Sequence, residues 1–246
     1  MRVVSLCPSL TELVALLGRA EALVGRTRFC IHPAELAAVE VVGGTKDPDT
    51  ARIIELAPDV VLLNEEENRR EDHAALVAAG VDCRTSLPRT PREAAQVVRR
   101  VGLALDATAT AERLACRIET LCSEFERRAA ALPPVRFAYL IWRKPWMAAG
   151  PGTYVDALFR AVGGVNVVSG AGYPALELAS LHEAERVLLS SEPYRFRAVH
   201  RGEVAAAAGL APERVVLTDG EACSWHGSRT ELGLAEAWRV LRSASR

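Results

Sequence analysis

The sequence predicts an α/β protein built as two Rossmann-like lobes with parallel sheets, joined by one long backbone helix, with a ligand cleft between the lobes. Three observations lead there. Residues 106–132 run for more than two dozen positions without Gly or Pro, and so read as one uninterrupted helix. Before that stretch, short apolar runs alternate with helical patterns, the signature of strand–helix–strand units and a parallel sheet. After it, the same alternation starts again. The boundaries that follow are an N-terminal lobe over 1–105, a connecting helix over 106–132 and a C-terminal lobe over 133–246.

Within the connecting helix, Leu114, Ile118, Leu121, Phe125 and Leu132 are spaced to keep one stripe facing a neighbour. Asp106 is placed to cap its start, and Pro133-Pro134 ends it. At 1.5 Å per residue the rod is roughly 40 Å long, more than a helix needs to cross one face of a sheet.

In the N-terminal lobe, residues 2–6 read as a buried strand and residues 10–17 as a helix. Ser9 and Glu12 stand in the S-x-x-E spacing of a capping box at its start. A strand at 22–25 opens into a loop, 26–33, that is dense in ligating groups. The Gly43-Gly44-Thr45-Lys46 turn precedes a helix over 49–56. Val60-Val61-Leu62-Leu63 is apolar without alternation, as expected of a parallel strand covered on both faces. It leads into Asn64-Glu65-Glu66-Glu67-Asn68, then a helix to Ala79, a strand over 81–85 and a helix through Leu105.

In the C-terminal lobe, strands are expected at 135–141, 165–168, 187–189 and 214–217, with helices at 153–162, 178–185 and 231–241. Residues 190–196 and 219–230 read as loops. Polar and aromatic residues again fall just after strands, where open α/β sheets hold their ligands.

Composition narrows the function. Of 246 residues, 50% are hydrophobic and 25% charged, which describes a globular chain. The net charge of −1 offers no field for nucleic acid. No apolar stretch is long enough for membrane insertion. Six cysteines without C-x-x-C spacing, and no h-region after Met1, predict reduced thiols and a cytoplasmic address for the chain as numbered, or a periplasmic one if a leader has been removed.

The candidate ligand-binding groups lie on the strand-end loops: Arg28, Phe29, His32, Lys46, Glu66 and Asn68 in the first lobe, and Trp142, Arg143, Trp146, Tyr154, Tyr194, Trp225, His226 and Arg229 in the second. Flat aromatic faces beside cations suit a large, partly planar ligand, with arginines pairing to its carboxylate, amide or phosphate groups and His32 or His226 within reach of a bound metal. The plainer alternative is that the tryptophans fold back onto the core. Glu65-Glu66-Glu67 reads either as a solvated helix start or as a site for a cationic partner. Cys30, His32, Cys223 and His226 have the ligand types for zinc but not a standard spacing, and Cys30 with a histidine base would be a nucleophile. The rival class is therefore a cytoplasmic enzyme or a zinc-dependent protein using Cys30, His32 and Glu65 to Glu67. No phosphate-loop or dinucleotide motif is present.

The opening Arg2-Val3-Val4-Ser5-Leu6-Cys7-Pro8-Ser9-Leu10-Thr11-Glu12, the stretch Ile53-Ile54-Glu55-Leu56-Ala57-Pro58-Asp59-Val60-Val61, and the turns Ala78-Ala79-Gly80-Val81 and Val162-Gly163-Gly164-Val165-Asn166 resemble the helical-backbone (class III) substrate-binding proteins of ABC importers. Within that family the chain looks most similar to the vitamin B12 (cobalamin) binders, which present loop tryptophans to the corrin. The resemblance implies two lobes on a rigid helix and a non-enzymatic protein holding cobalamin, another corrinoid or a similar metal chelate. It also implies a permease partner if the protein is exported, docked through a glutamate in the region of Glu65 to Glu67. The ionic groups Arg28, His32, Lys46, Arg143 and Arg229 exceed what a corrin alone needs.

Overall fold

The computed structural model describes residues 1–242. Contacts divide the chain into one unit of Met1–Pro88 with Glu93–Cys116, and another of Arg89–Arg92 with Arg117–Arg246.

In the first unit, β3 (Val60–Asn64) is buried at all five positions. Unbroken β-branched and leucine side chains serve both faces, as a central parallel strand requires. The sheet runs β2 (Leu23–Arg26), β1 (Val3–Ser5), β3, β4 (Cys83–Ser86), and every pairing is parallel. The connecting helices are α1 (Pro8–Leu16), α2 (Thr50–Glu55), α3 (Arg70–Ala78) and α4 (Pro91–Ala104). Val4, Leu6, Ile53, Val61, Leu63 and Leu76 make the core under one face.

The second unit pairs β5 (Val135–Trp142) with β8 (Arg186–Ser190), and β8 with β9 (Val215–Thr218), all parallel. On its other side β5 pairs in parallel with β7 (Gly164–Asn166) and antiparallel with the short β6 (Met147–Ala148). That antiparallel hairpin departs from the all-parallel expectation. Its helices are α6 (Tyr154–Ala161), α7 (Val199–Ala208), α8 (Gly220–Ser224) and α9 (Thr230–Arg242). Phe137 stacks on Phe159 at 5.0 Å, and Ala138, Leu140, Val187, Leu189 and Val204 fill a core on one face.

The long helix is present as α5 (Thr108–Ala130), about 35 Å at 1.5 Å per residue. The division between the units falls inside it. Its buried stripe is Ala111, Ala115, Ile118, Cys122, Phe125 and Ala129, which keeps Ile118 and Phe125 of the expected stripe and replaces its leucines with small residues. Leu114 and Leu121 are half-buried and Leu132 is exposed. Alanines leave room for close approach: a Cβ on Gly102 of α4 would collide with Ala111. Asp106 does not cap this helix. It occupies the turn before it at φ 52°, with its carbonyl accepting from Arg19 at 2.5 Å.

Other local expectations are corrected too. The capping box of Ser9 and Glu12 does not form, because α1 begins at Pro8 with Cys7 as its cap and Ser9 turned to the Cys7 sulfur at 3.3 Å. Pro8 has no amide hydrogen to satisfy, so the start needs less capping. The helix expected over 178–185 is only a 3-10 turn, Leu178–Leu181. Two helices arise where none was expected, α7 and α8. Asp49, Thr153 and Asp219 do cap α2, α6 and α8, each accepting from the backbone three residues on. Among the described residues, no helix is long and apolar enough to cross a membrane.

Candidate ligand-binding site

Parallel strands deliver their following loops to one edge of each sheet. In the first unit these loops follow β1, β2, β3 and β4. Arg26, the last residue of β2, is buried and donates to the carbonyls of Thr27, Cys30, Leu36 and Ala37. It shapes the loop from which Arg28, Phe29 and His32 project. Arg28 pairs with Asp47 at 2.5 Å and lies 5.6 Å from the centre of the Phe29 ring, which is 52% exposed. His32 is half-buried on the same loop.

Lys46 donates to the Glu66 carbonyl at 2.5 Å, bringing two expected site residues together. Glu66 and Glu67 are both exposed, yet surrounding protein pushes the Glu67 carboxyl above its usual range, with the Lys46 charge opposing and the Glu66 charge adding. Asn68 is turned inward. It is buried, its Oδ1 accepts from the Asn64 amide at 2.8 Å, and its Nδ2 donates to the carbonyls of Leu6 and Thr45 at 2.9 and 3.0 Å. The side chain ties three segments together.

Cys30 is likewise internal. Its sulfur meets the hydroxyls of Thr11 and Thr27 at 3.0 and 3.1 Å. That burial denies Cys30 the access a nucleophile needs. Among the described residues, no group of three or more His, Cys, Asp or Glu side chains could hold a metal ion. Iodoacetamide is expected to label the exposed Cys116 of the native protein and to leave buried Cys7, Cys30 and Cys223 untouched until denaturant is added. Early labelling of Cys30, read by mass spectrometry, would restore the nucleophile.

In the second unit, Trp142 ends β5 with 40% of its surface exposed, held edge-on by Tyr194 at 5.9 Å. Trp146 is half-buried, stacked on Phe196 at 6.1 Å with the Arg143 guanidinium 5.7 Å from its ring centre, and it packs on the core. Arg143 also pairs with Glu203 at 2.9 Å. Trp146 therefore fits the core-capping alternative, while Trp142 remains open.

Trp225, Tyr154 and His226 are all buried: part of the loop expected over 219–230 folds as α8, which Trp225 and His226 directly follow, and Tyr154 opens α6. Trp225 is buried and its indole N–H donates to Glu192 at 2.8 Å, with Arg229 stacked 4.5 Å from its ring centre and held by Glu221 at 2.6 Å. The Tyr154 hydroxyl meets Thr230 at 2.8 Å, and its burial raises its pKa. Burial lowers the His226 pKa to about 4, so the ring is neutral at pH 7 and lies edge-on to Tyr154.

Glu192, Glu203 and His200 went unnoticed in the sequence, although Glu192 sits directly after a strand. His200 Nδ1 accepts from the Arg197 amide at 2.9 Å, which leaves the Nε2 proton of the neutral ring to the Tyr194 hydroxyl at 3.4 Å.

The chain has known relatives. It is 22% identical over 199 residues to a vitamin B12-binding protein of Vibrio cholerae serotype O1, a match covering 81% of this chain and 71% of the relative. A cobalamin-binding protein of Halobacterium salinarum is 26% identical over 229 residues, covering 87% and 59%. Among solved structures, the vitamin B12 binding protein BtuF of Vibrio cholerae superposes with a TM-score of 0.85 at 19% identity, covering 98% of this chain and 96% of that one. The heme-binding protein RhuT from Roseiflexus sp. RS-1 gives 0.85 at 23%, covering 100% and 99%. These likenesses establish the fold. The periplasmic binding protein family model matches residues 3–187, most of the sequence, and the chain belongs to that family of substrate-binding proteins.

Proposed function

We propose that this chain is a receptor for a bulky, metal-bearing ring compound, a corrinoid in the first instance, which it delivers to an ABC-transporter permease from the periplasm. The observation that carries the reading is Trp142, a large aromatic left open at the end of β5 and steadied by Tyr194. Such a face offers contact area with little entropy lost. Phe29 beside Arg28, and Lys46 beside Glu66, are the polar and aromatic complement of the first unit. Relatives named for vitamin B12 and cobalamin favour the corrinoid. The cytoplasmic address expected from the residues after Met1 has no support in a family described as periplasmic.

A second reading, haem, is favoured by Tyr194 and His200: a tyrosine oxygen oriented by an imidazole N–H is a competent axial ligand for iron. Structures named for heme share the fold. Separate titrations with hydroxocobalamin and haemin discriminate. The corrinoid reading expects a visible-spectrum shift and tryptophan quenching with hydroxocobalamin, and Trp142→Ala should weaken binding about tenfold. Haem binding would be lost on Tyr194→Phe, with hydroxocobalamin binding unaltered. No spectral change with either compound at high micromolar protein sinks both.

A further inference from the structure

β4 is the last strand of its sheet, and among the described residues no further strand pairs with its outer edge. The Val61 amide donates to the Asp82 carbonyl at 2.8 Å and the Glu65 amide to the Ser86 carbonyl at 3.0 Å. Even-numbered residues of 82–86 thus turn their main-chain groups toward β3, and alternation turns those of Cys83 and Thr85 away. Among the described residues neither Cys83 nor Thr85 has a main-chain partner on that side. Alongside lies a groove of about 540 Å³ bounded by Cys83, Arg84 and Thr85 on one side and Val97, Val101 and Leu103 of α4 on the other. Leu103 is 70% exposed.

We propose that a second copy of this chain pairs its β4 antiparallel with this one, about a two-fold axis at Cys83, making one continuous sheet. This goes beyond the ligand-binding reading and does not depend on it. Cys83 stands opposite the partner's Cys83, and the two exchange N–H and C=O bonds. Thr85 donates to the carbonyl of the partner's Val81, and the reverse. The Val81 amide is already committed to the Leu76 carbonyl at 3.1 Å, so four main-chain bonds form across the axis.

Charge selects this register. It places Asp82 opposite the partner's Arg84, twice. Within one chain Arg84 donates through Nε at 3.1 Å and Nη2 at 2.8 Å to the same oxygen, Oδ2 of Asp82. Oδ1 of Asp82 is left for the partner's guanidinium. An axis one residue on, at Arg84, would oppose two arginines, which is unfavourable on a shared face. Charged edges commonly discourage pairing, but Asp82-Cys83-Arg84 is complementary to itself when antiparallel. The axis also brings the exposed Leu103 side chains toward cover, as self-complementary interfaces require.

Sedimentation velocity of the full chain from about 1 to 100 μM should show a concentration-dependent dimer. Arg84→Asp gathers four carboxylates at the axis and Asp82→Arg four guanidiniums, and each should raise the dimer dissociation constant about tenfold. An equal mixture of the two variants should recover the dimer, because each now supplies the other's missing charge. Thr85→Pro removes two cross-strand donors while costing no bond within the chain, and it should weaken the dimer as well. It decides the matter alone if a charge variant fails to fold by circular dichroism. A wild type that sediments as monomer throughout, a dimer indifferent to these changes, or folded charge variants that do not recover on mixing would overturn the proposal.

Discussion

Replacing Asn68 with alanine should destabilise the N-terminal unit by about 3 kcal/mol, seen as a lower urea midpoint with little change in slope. The amide holds three buried main-chain groups at once: the Asn64 N–H and the carbonyls of Leu6 and Thr45. These belong to the ends of β1 and β3 and to the turn before α2, segments far apart in sequence. Removing the amide takes away all three bonds in a place where water is scarce, which costs more than the same loss at the surface. Asn68→Asp sharpens the test. It keeps an acceptor for Asn64 but sets a carboxylate against two carbonyl oxygens, so its deficit should be larger at pH 7 than at pH 4. Lys46→Ala, on the same turn but at the surface, should stay within about 0.5 kcal/mol of wild type. If Asn68→Ala unfolds like Lys46→Ala, the residue is no clip.

That prediction also marks what the letters carried. The alternation of apolar runs with helical patterns was legible because strands buried on both faces must be apolar throughout, as β3 is. The length of α5 was legible because Gly and Pro are absent from it. Its packing face was not. The stripe Ala111, Ala115 and Ala129 carries little hydrophobic signal, yet alanine lets helices approach, as Gly102 against Ala111 does. The same cause hid α7, where Val204, Ala205 and Ala208 are buried with a single large side chain among them, and Gly209 ends the helix at φ 66°. Periodicity read on large residues misses helices that pack on small ones.

At the candidate site, sequence located the loops but not the direction of each side chain. Trp142 and Trp225 were both expected just past strands, yet one is open at the end of β5 and the other is buried after α8. The difference lies in α8: Asp219 caps a short helix that turns Trp225 inward, where Glu192 accepts its N–H. Nothing in the spacing between Glu192 and Trp225 announces that bond, since it joins loops after two different strands. Arg26 is a similar case, an arginine at the end of a short apolar strand that holds the loop carrying Arg28 by bonds to four carbonyls.

The buried His226 should make stability fall as pH drops. Desolvation lowers its pKa from 6.5 to about 4, and its ring lies 6.1 Å from that of Tyr154. Between those pH values the unfolded chain holds a proton on this histidine and the folded chain does not. Unfolding therefore takes up a proton, stability rises with pH across the window, and it declines as pH falls from 6.5 toward 4. At 1.36 kcal/mol per pH unit the full effect is about 3 kcal/mol. Carboxylates contribute acid sensitivity of their own: Glu236 is held below its usual range by Arg239, the Asp219 amide and Thr218 despite desolvation, and its share is lost as pH falls through and below 4.5. Subtraction separates the two. Urea unfolding of wild type and His226→Gln at pH 7, 6, 5 and 4 should give free energies whose gap shifts by about 3 kcal/mol in favour of the variant as pH falls, with most of the shift between pH 6.5 and 4. Parallel curves would mean that His226 is protonated alike in both states, and that water reaches the ring beside Tyr154.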